Sequence, residues 1–169
     1  ICLATSSVAA DLVVVSNDTG KVLRFGPTGA YIGEVAATTM AKGIAADGAG
    51  HVYVSSSAGS LAEYDEDGGL LDFVATPLYG RLAVDANQVV FVTSFFDDIV
   101  SAFDFSVSPP QSLGTFIAAG SGGLNGPTGM TFGPDGDLYV SSRISGEVLR
   151  YSGSNGAFLE VFATPGGNG

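Results

Sequence analysis

Gly126-Pro-Thr-Gly-Met-Thr-Phe-Gly-Pro-Asp-Gly-Asp-Leu-Tyr-Val-Ser141 reads as an apolar strand, an Asp-Gly turn and a second strand. Asp-Gly supplies the positive φ angles that a tight hairpin needs. The second strand has three upstream counterparts: Leu12-Val-Val-Val-Ser16, His51-Val-Tyr-Val-Ser55 and Val89-Val-Phe-Val-Thr93, which align with Asp137-Leu-Tyr-Val-Ser141. With Val15, Val54, Val92 and Val140 as markers, the spacings are 39, 38 and 48 residues. Each marker is followed by another apolar strand ending on an aromatic, Phe25, Tyr64, Phe103 or Tyr151, which lies 10, 10, 11 or 11 residues on. A third strand comes next, at Tyr31–Val35, Leu70–Val74, Leu113–Ile117 and Phe158–Phe162. Ahead of the last three markers lie Gly43–Asp47, Arg81–Asp85 and Gly129–Phe132.

Asp, Asn and Gly punctuate these runs, and 25 of the 169 residues are glycine, about twice the usual share. No segment keeps a helical period. Four strands joined by hairpins and repeated every 40 residues or so make the pattern of a propeller blade. The expected fold is therefore all-β, a β-propeller of four four-stranded blades near residues 4–42, 43–80, 81–127 and 128–169. The stretch Gly126–Ser141, followed by Gly146-Glu-Val-Leu-Arg-Tyr151, resembles the NHL-type repeat of six-bladed-propeller-like proteins over residues 11–169. That motif marks turns and core positions. The resemblance implies a fold, not a chemistry, and in such propellers the loops between second and third strands and the blade-to-blade connections form the face that carries ligands.

Residues 1–10 have two readings. They match the tail of a secretory signal peptide, an apolar stretch ending in small residues, and they also have the length of a missing first inner strand. Shifting the second repeat back by 39 puts that strand over Ala4–Val8. Four blades can close as a ring or form an open arc, and an open arc demands capping or association at its ends.

Six Lys and Arg against 17 Asp and Glu give a formal charge of −11. Nucleic acid and anionic membranes are poor partners for such a chain. Charged residues are only 14% and apolar ones 46%, which excludes a disordered acidic tail. One cysteine, Cys2, rules out an internal disulfide or a multi-cysteine metal site, and one histidine, His51, rules out a two-histidine centre. No apolar run reaches the roughly 18 residues that span a bilayer as a helix.

On the expected ligand-facing side fall Asp18, Tyr79, Phe95, Phe96, Asp97, Asp98 and Arg143. Asp97-Asp98 beside Phe95-Phe96 offers carboxylates and aromatic surface, and the two carboxylates are the weak candidates for a Ca²⁺ site. Asp65-Glu66-Asp67-Gly68-Gly69 has the look of a calcium loop but runs straight into a strand, so turn chemistry is expected there. Asn17-Asp18-Thr19 is an N-glycosylation sequon in an expected loop. No Ser/His/Asp or metal-hydrolase arrangement emerges, so no catalytic residue and no cofactor is expected. The first functional reading is a secreted, non-catalytic binding or scaffold module whose partners are other extracellular proteins, glycans or copies of itself. The second is a self-assembling extracellular structural subunit, and the third a metal-dependent lactonase-like hydrolase.

Overall fold

The structure, a computed structural model, describes residues 2–5, 11–16, 19–37, 40–78 and 80–165. Among the described residues the apolar runs form strands and the Asp/Gly clusters between them form turns. The first sheet holds β1 (Cys2–Thr5), β2 (Leu12–Ser16), β3 (Lys21–Phe25) and β4 (Tyr31–Ala37), and the second β5 (Ala41–Ala46), β6 (Val52–Ser56), β7 (Ser60–Tyr64) and β8 (Leu70–Ala75). The third holds β9 (Leu82–Val84), β10 (Val89–Ser94), β11 (Ile99–Asp104) and β12 (Gln111–Ile117). The fourth holds β13 (Pro127–Phe132), β14 (Leu138–Ser142), β15 (Glu147–Tyr151) and β16 (Phe158–Ala163). Strands in every sheet pair antiparallel in chain order, so each sheet is one up-and-down blade. One 3₁₀ turn, Ser121–Gly123, precedes the fourth blade. Among the described residues no helix is long and apolar enough to cross a membrane.

Aspartates set the turns by accepting hydrogen bonds from amides two and four residues on. Asp85 takes Asn87 N–H at 2.9 Å and Val89 N–H at 2.8 Å, and Asp65 takes Asp67 N–H at 3.0 Å and Gly69 N–H at 2.7 Å. Such Asx bonds mimic a backbone turn. They account for the calcium-loop look of residues 65–69.

The inner strands β5, β9 and β13 lie side by side around an axis, and blades contact their sequence neighbours. Three apolar clusters fill the seams. Val13, Val15 and Val22 meet Val52 and Val54 between the first two blades. Tyr53 and Leu61 meet Val90, Val92 and Phe103 in the second seam. Phe91, Val100 and Ile117 meet Leu138, Val140 and Leu149 in the third.

The pairing corrects the register read for the first repeat. Leu12 faces Phe25, Val52 faces Tyr64, Val90 faces Phe103 and Leu138 faces Tyr151. The counterpart of Val54, Val92 and Val140 is therefore Val14, not Val15. All four markers are buried as expected for core residues, at 0–1% exposure. Val15, however, packs toward the second blade, whereas the other three pack toward the blade before them. The first inner strand also starts earlier than the repeat suggested. β1 runs Cys2–Thr5 with Cys2 opposite Val15, and residues 6–8 of the expected Ala4–Val8 strand lie outside the described residues.

β6 and β10 are buried on both faces because each lies between two blades. β2 and β14 alternate between buried and half-buried residues. The first blade thus leaves its leading face half-exposed and the fourth its trailing face.

Candidate ligand-binding site

The starts of the inner strands and the turns between second and third strands converge on one side of the blades. Gly80-Arg81 brings the chain into β9. Gly80 lies against the Thr93 backbone, where any Cβ would collide with the Thr93 carbonyl. Thr93 Oγ1 then accepts the Arg81 N–H at 2.9 Å. With its backbone held, Arg81 reaches toward the second blade, where Nη1 donates to the Lys42 carbonyl at 2.7 Å.

In the third blade, the β10–β11 turn carries Phe95, Phe96, Asp97 and Asp98. Asp97 accepts the Ser94 hydroxyl at 2.6 Å. Asp98 sits in the left-handed region at φ 57°, which aspartate tolerates, and its Oδ1 accepts the Gly126 N–H at 2.6 Å. The two carboxylates therefore shape the turn and tie it to the connection entering the fourth blade. Asp97 and Asp98, the pair weighed from the sequence as a cation site, thus each serve a separate protein donor. Among the described residues no group of three or more potential metal ligands assembles anywhere.

Phe95 and Phe96 meet edge to face, centroids 5.2 Å apart at 88°. Arg143, in the β14–β15 turn, holds its guanidinium 5.7 Å from the Phe95 centroid, within range of cation–π attraction. Its own backbone N–H donates to the Gly126 carbonyl at 3.0 Å. Lys42, Arg81, Arg143, Phe95, Phe96 and Pro127 line one cavity of about 360 Å³. Among the described residues no Asp or Glu lines it.

The charge distribution sets this cavity apart. Lys21 pairs with Glu34 at 2.8 Å, Arg24 with Asp11 at 2.6 Å, and Arg150 with Asp135, Asp137 and Glu160 at 2.9, 2.7 and 2.9 Å. The remaining three of the six bases are Lys42, Arg81 and Arg143. None of them has a carboxylate partner among the described residues, and all three line the cavity. In a chain of net charge −11 this is a local positive site beside aromatic surface.

The opposite side is acidic. A cavity of about 560 Å³ there is lined by Asp47, Asp85, Asn87 and Gln88. At its edge His51 Nδ1 lies 2.8 Å from Asp47 Oδ2 and 3.1 Å from Gln88 Nε2, tying the second blade to the third. Tyr53 donates to Glu63 at 2.9 Å within the same seam. Burial pushes the Glu63 carboxyl above its usual range, against the hydrogen bond from Tyr53. Burial works to raise Asp47 too, but hydrogen bonds from His51 and Ala49 outweigh it and hold that carboxyl below the ordinary value. A third cavity, about 520 Å³, follows the axis between Ile44, Ala45, Leu82, Ala83 and Met130.

No protein-family model and no curated protein sequence matches the chain. Solved structures do match. Virginiamycin B lyase from Staphylococcus aureus superposes with a TM-score of 0.74 over 98% of this chain and 56% of the lyase, at 17% identity. A chain of the nidogen/laminin complex gives 0.73 over 95% of this chain and 62% of its own, at 14% identity. Hydrazine synthase of Kuenenia stuttgartiensis gives 0.75 over 94% of this chain and 47% of its own, also at 14% identity. The chain is a β-propeller. It spans about half the length of the solved structures it matches.

Within the propeller, Phe95, Phe96 and Arg143 come together as one wall of the cavity, and Asp97 and Asp98 stand behind them in the turn. Asp18, the Asn17 sequon and Tyr79 lie outside the described residues. Lys42 and Arg81 were not singled out from the sequence. Their signal was a base beside glycine at the start of an inner strand, in Lys42-Gly43 and Gly80-Arg81, one repeat apart.

Proposed function

We propose that this chain is a non-catalytic binding module working outside the cell, which takes its ligand on the loop face through the cavity between Lys42, Arg81, Phe95, Phe96 and Arg143. The observation that carries the reading is the segregation of charge: half the bases face one cavity without carboxylate partners, beside two phenylalanines. A concave site with apolar walls and a few convergent polar groups is how small-molecule sites are built. That a chain of the nidogen/laminin complex shares this fold supports binding as a use of such a scaffold. The sequon at Asn17 supports an extracellular setting.

The test is a panel of small molecules and oligosaccharides read by thermal shift on the full chain. At least one compound raises the melting temperature of the native sequence and not that of Phe96→Ala, and nuclear magnetic resonance finds that compound chemically unchanged. A panel without any cavity-dependent stabilisation overturns the reading, and turnover of a bound compound overturns its non-catalytic part.

A second reading, assembly with further copies of itself, rests on a different observation. The leading face of β2 in the first blade and the trailing face of β14 in the fourth are half-exposed, while β6 and β10 are buried on both faces.

A further inference from the structure

We infer that the loop-face cavity selects an organic anion, a single carboxylate, sulfonate or sulfate carried on a flat apolar body. This rests on the binding-module reading and names its ligand class. Two independent features of the site converge on it.

The first is the charge. The carboxylates of Glu34, Asp11, Asp135, Asp137 and Glu160 neutralise the other three bases at 2.6–2.9 Å. Lys42, Arg81 and Arg143 share a cavity with no acid in its wall among the described residues. An incoming anion therefore meets bases that no described carboxylate already neutralises. Arg81 is also held in place before any ligand arrives: the bond from Nη1 to the Lys42 carbonyl fixes the guanidinium, leaving the rest of its donor fork for the ligand. A group ordered in advance loses less freedom on binding.

The second is the apolar surface. Phe96 is 82% exposed, a poor position for a phenyl ring unless something covers it. Phe95 already stands under the Arg143 guanidinium at 5.7 Å and edge-on to Phe96. A flat ring seated against Phe96 would bring an acidic substituent toward the cations.

The same facts exclude other ligand classes. A metal cation meets three positive charges and, among the described residues, no carboxylate in the cavity wall. A polyanion such as a nucleic acid meets only three cations and is repelled by the rest of a chain of net charge −11. A small anion feels the local site and little of the distant field, which salt screens within about 8–10 Å.

Isothermal titration of the full chain with 2-naphthoate, 2-naphthylmethanol and acetate tests this. The expected result is one saturable site for 2-naphthoate, at least about tenfold weaker binding of the neutral alcohol, and no saturable binding of acetate at the same concentrations. Raising sodium chloride weakens 2-naphthoate binding and leaves the alcohol unaffected. Arg143→Gln, whose guanidinium makes no hydrogen bond among the described residues, lowers 2-naphthoate affinity at least about tenfold with the melting temperature retained. Lys21→Gln, outside the cavity, changes nothing. Equal binding of the acid and the alcohol, lost in Phe96→Ala, overturns anion selection while the binding-module reading stands. If neither ring compound binds but another panel compound does, the inference fails and that reading again stands. If nothing binds at the cavity, both fail.

Discussion

Asp47 holds together more of the second blade than one turn residue ordinarily does. Its Oδ1 accepts the Ala49 and His51 amides, each at 2.9 Å, and its Oδ2 lies 2.8 Å from His51 Nδ1 and 3.4 Å from the Tyr53 hydroxyl. These bonds favour the ionised carboxylate enough to overcome burial, so its proton affinity is lower in the folded chain than in the unfolded one. A carboxyl of that kind contributes stability that is present above the unfolded value of 3.8 and disappears as pH falls through the folded one. Asp47→Asn should therefore lower the unfolding free energy measured in urea at pH 7, by roughly 1–3 kcal/mol for a charged acceptor lost, and the gap to the native sequence should narrow at pH 3. A gap of the same size at both values would contradict this account. Glu63 is the mirror case. Burial raises its carboxyl, so stability falls as pH climbs from 4.5 through the raised folded value, and the ionised form bears the cost. Glu63→Gln keeps a partner for Tyr53 without the charge. Its melting temperature should gain on the native sequence between pH 4 and pH 7, and a constant difference across that range would rule the explanation out.

Strand register decides which valines matter. Val54 and Val14 occupy equivalent rungs, opposite Ala62 and Leu23 respectively. Val54 is buried against the first blade, while Val14 stands half-exposed. Val54→Ala should cost about 1–3 kcal/mol through lost burial and a cavity, and Val14→Ala less than about 1 kcal/mol. Equal losses in chemical denaturation would show that both faces are covered. The same pair explains what was legible in the sequence. Strand existence was, because apolar runs end on Asp/Gly turns four times over. The first-blade register was not, because Leu12-Val-Val-Val-Ser16 is apolar throughout and alternation cannot say which side is which. In the other blades the position equivalent to Val15 is a hydroxyl residue, Ser55, Thr93 or Ser141, and each accepts an inner-strand amide, from Gly43, Arg81 or Gly129, at 2.7–2.9 Å. The first blade replaces that hydroxyl with valine, and the extra valine drew the alignment one residue off. At the site, Phe95, Phe96 and Arg143 could be found because the repeat places their turns on one face. Lys42 and Arg81 meet them only through blade-to-blade packing, which no local pattern encodes.

The set of four blades presents two different outer faces. The leading end shows Leu12, Val14, Leu23 and Phe25, all half-exposed and on one side of the first sheet. The trailing end shows Tyr139, whose ring packs against Phe162 at 4.8 Å and lies 5.8 Å from the Arg150 guanidinium. Inside the chain the corresponding surfaces already meet: Tyr53, at the rung of Tyr139, packs with Val90, Val92 and Phe103, at the rungs of Leu12, Val14 and Phe25. A second copy could therefore seat its first blade on the fourth blade of the other and repeat a seam the fold uses internally. Such a contact joins unlike surfaces, so it yields a ring if the rotation closes and a filament if it does not. Each copy carries a charge of −11, which opposes approach at low salt. Association should then strengthen as sodium chloride rises, opposite to the weakening expected of an anion in the loop-face cavity. Sedimentation at high protein concentration should show species larger than the monomer in 500 mM salt. Val14→Lys, which puts a charge on the leading face of a half-exposed strand, should restore the monomer without shifting the melting temperature by more than a few degrees. A native chain that stays monomeric at all salt concentrations would leave both faces as solvated surface and remove the assembly reading, while the cavity and its three bases, on a different side of the blades, would be untouched by that result.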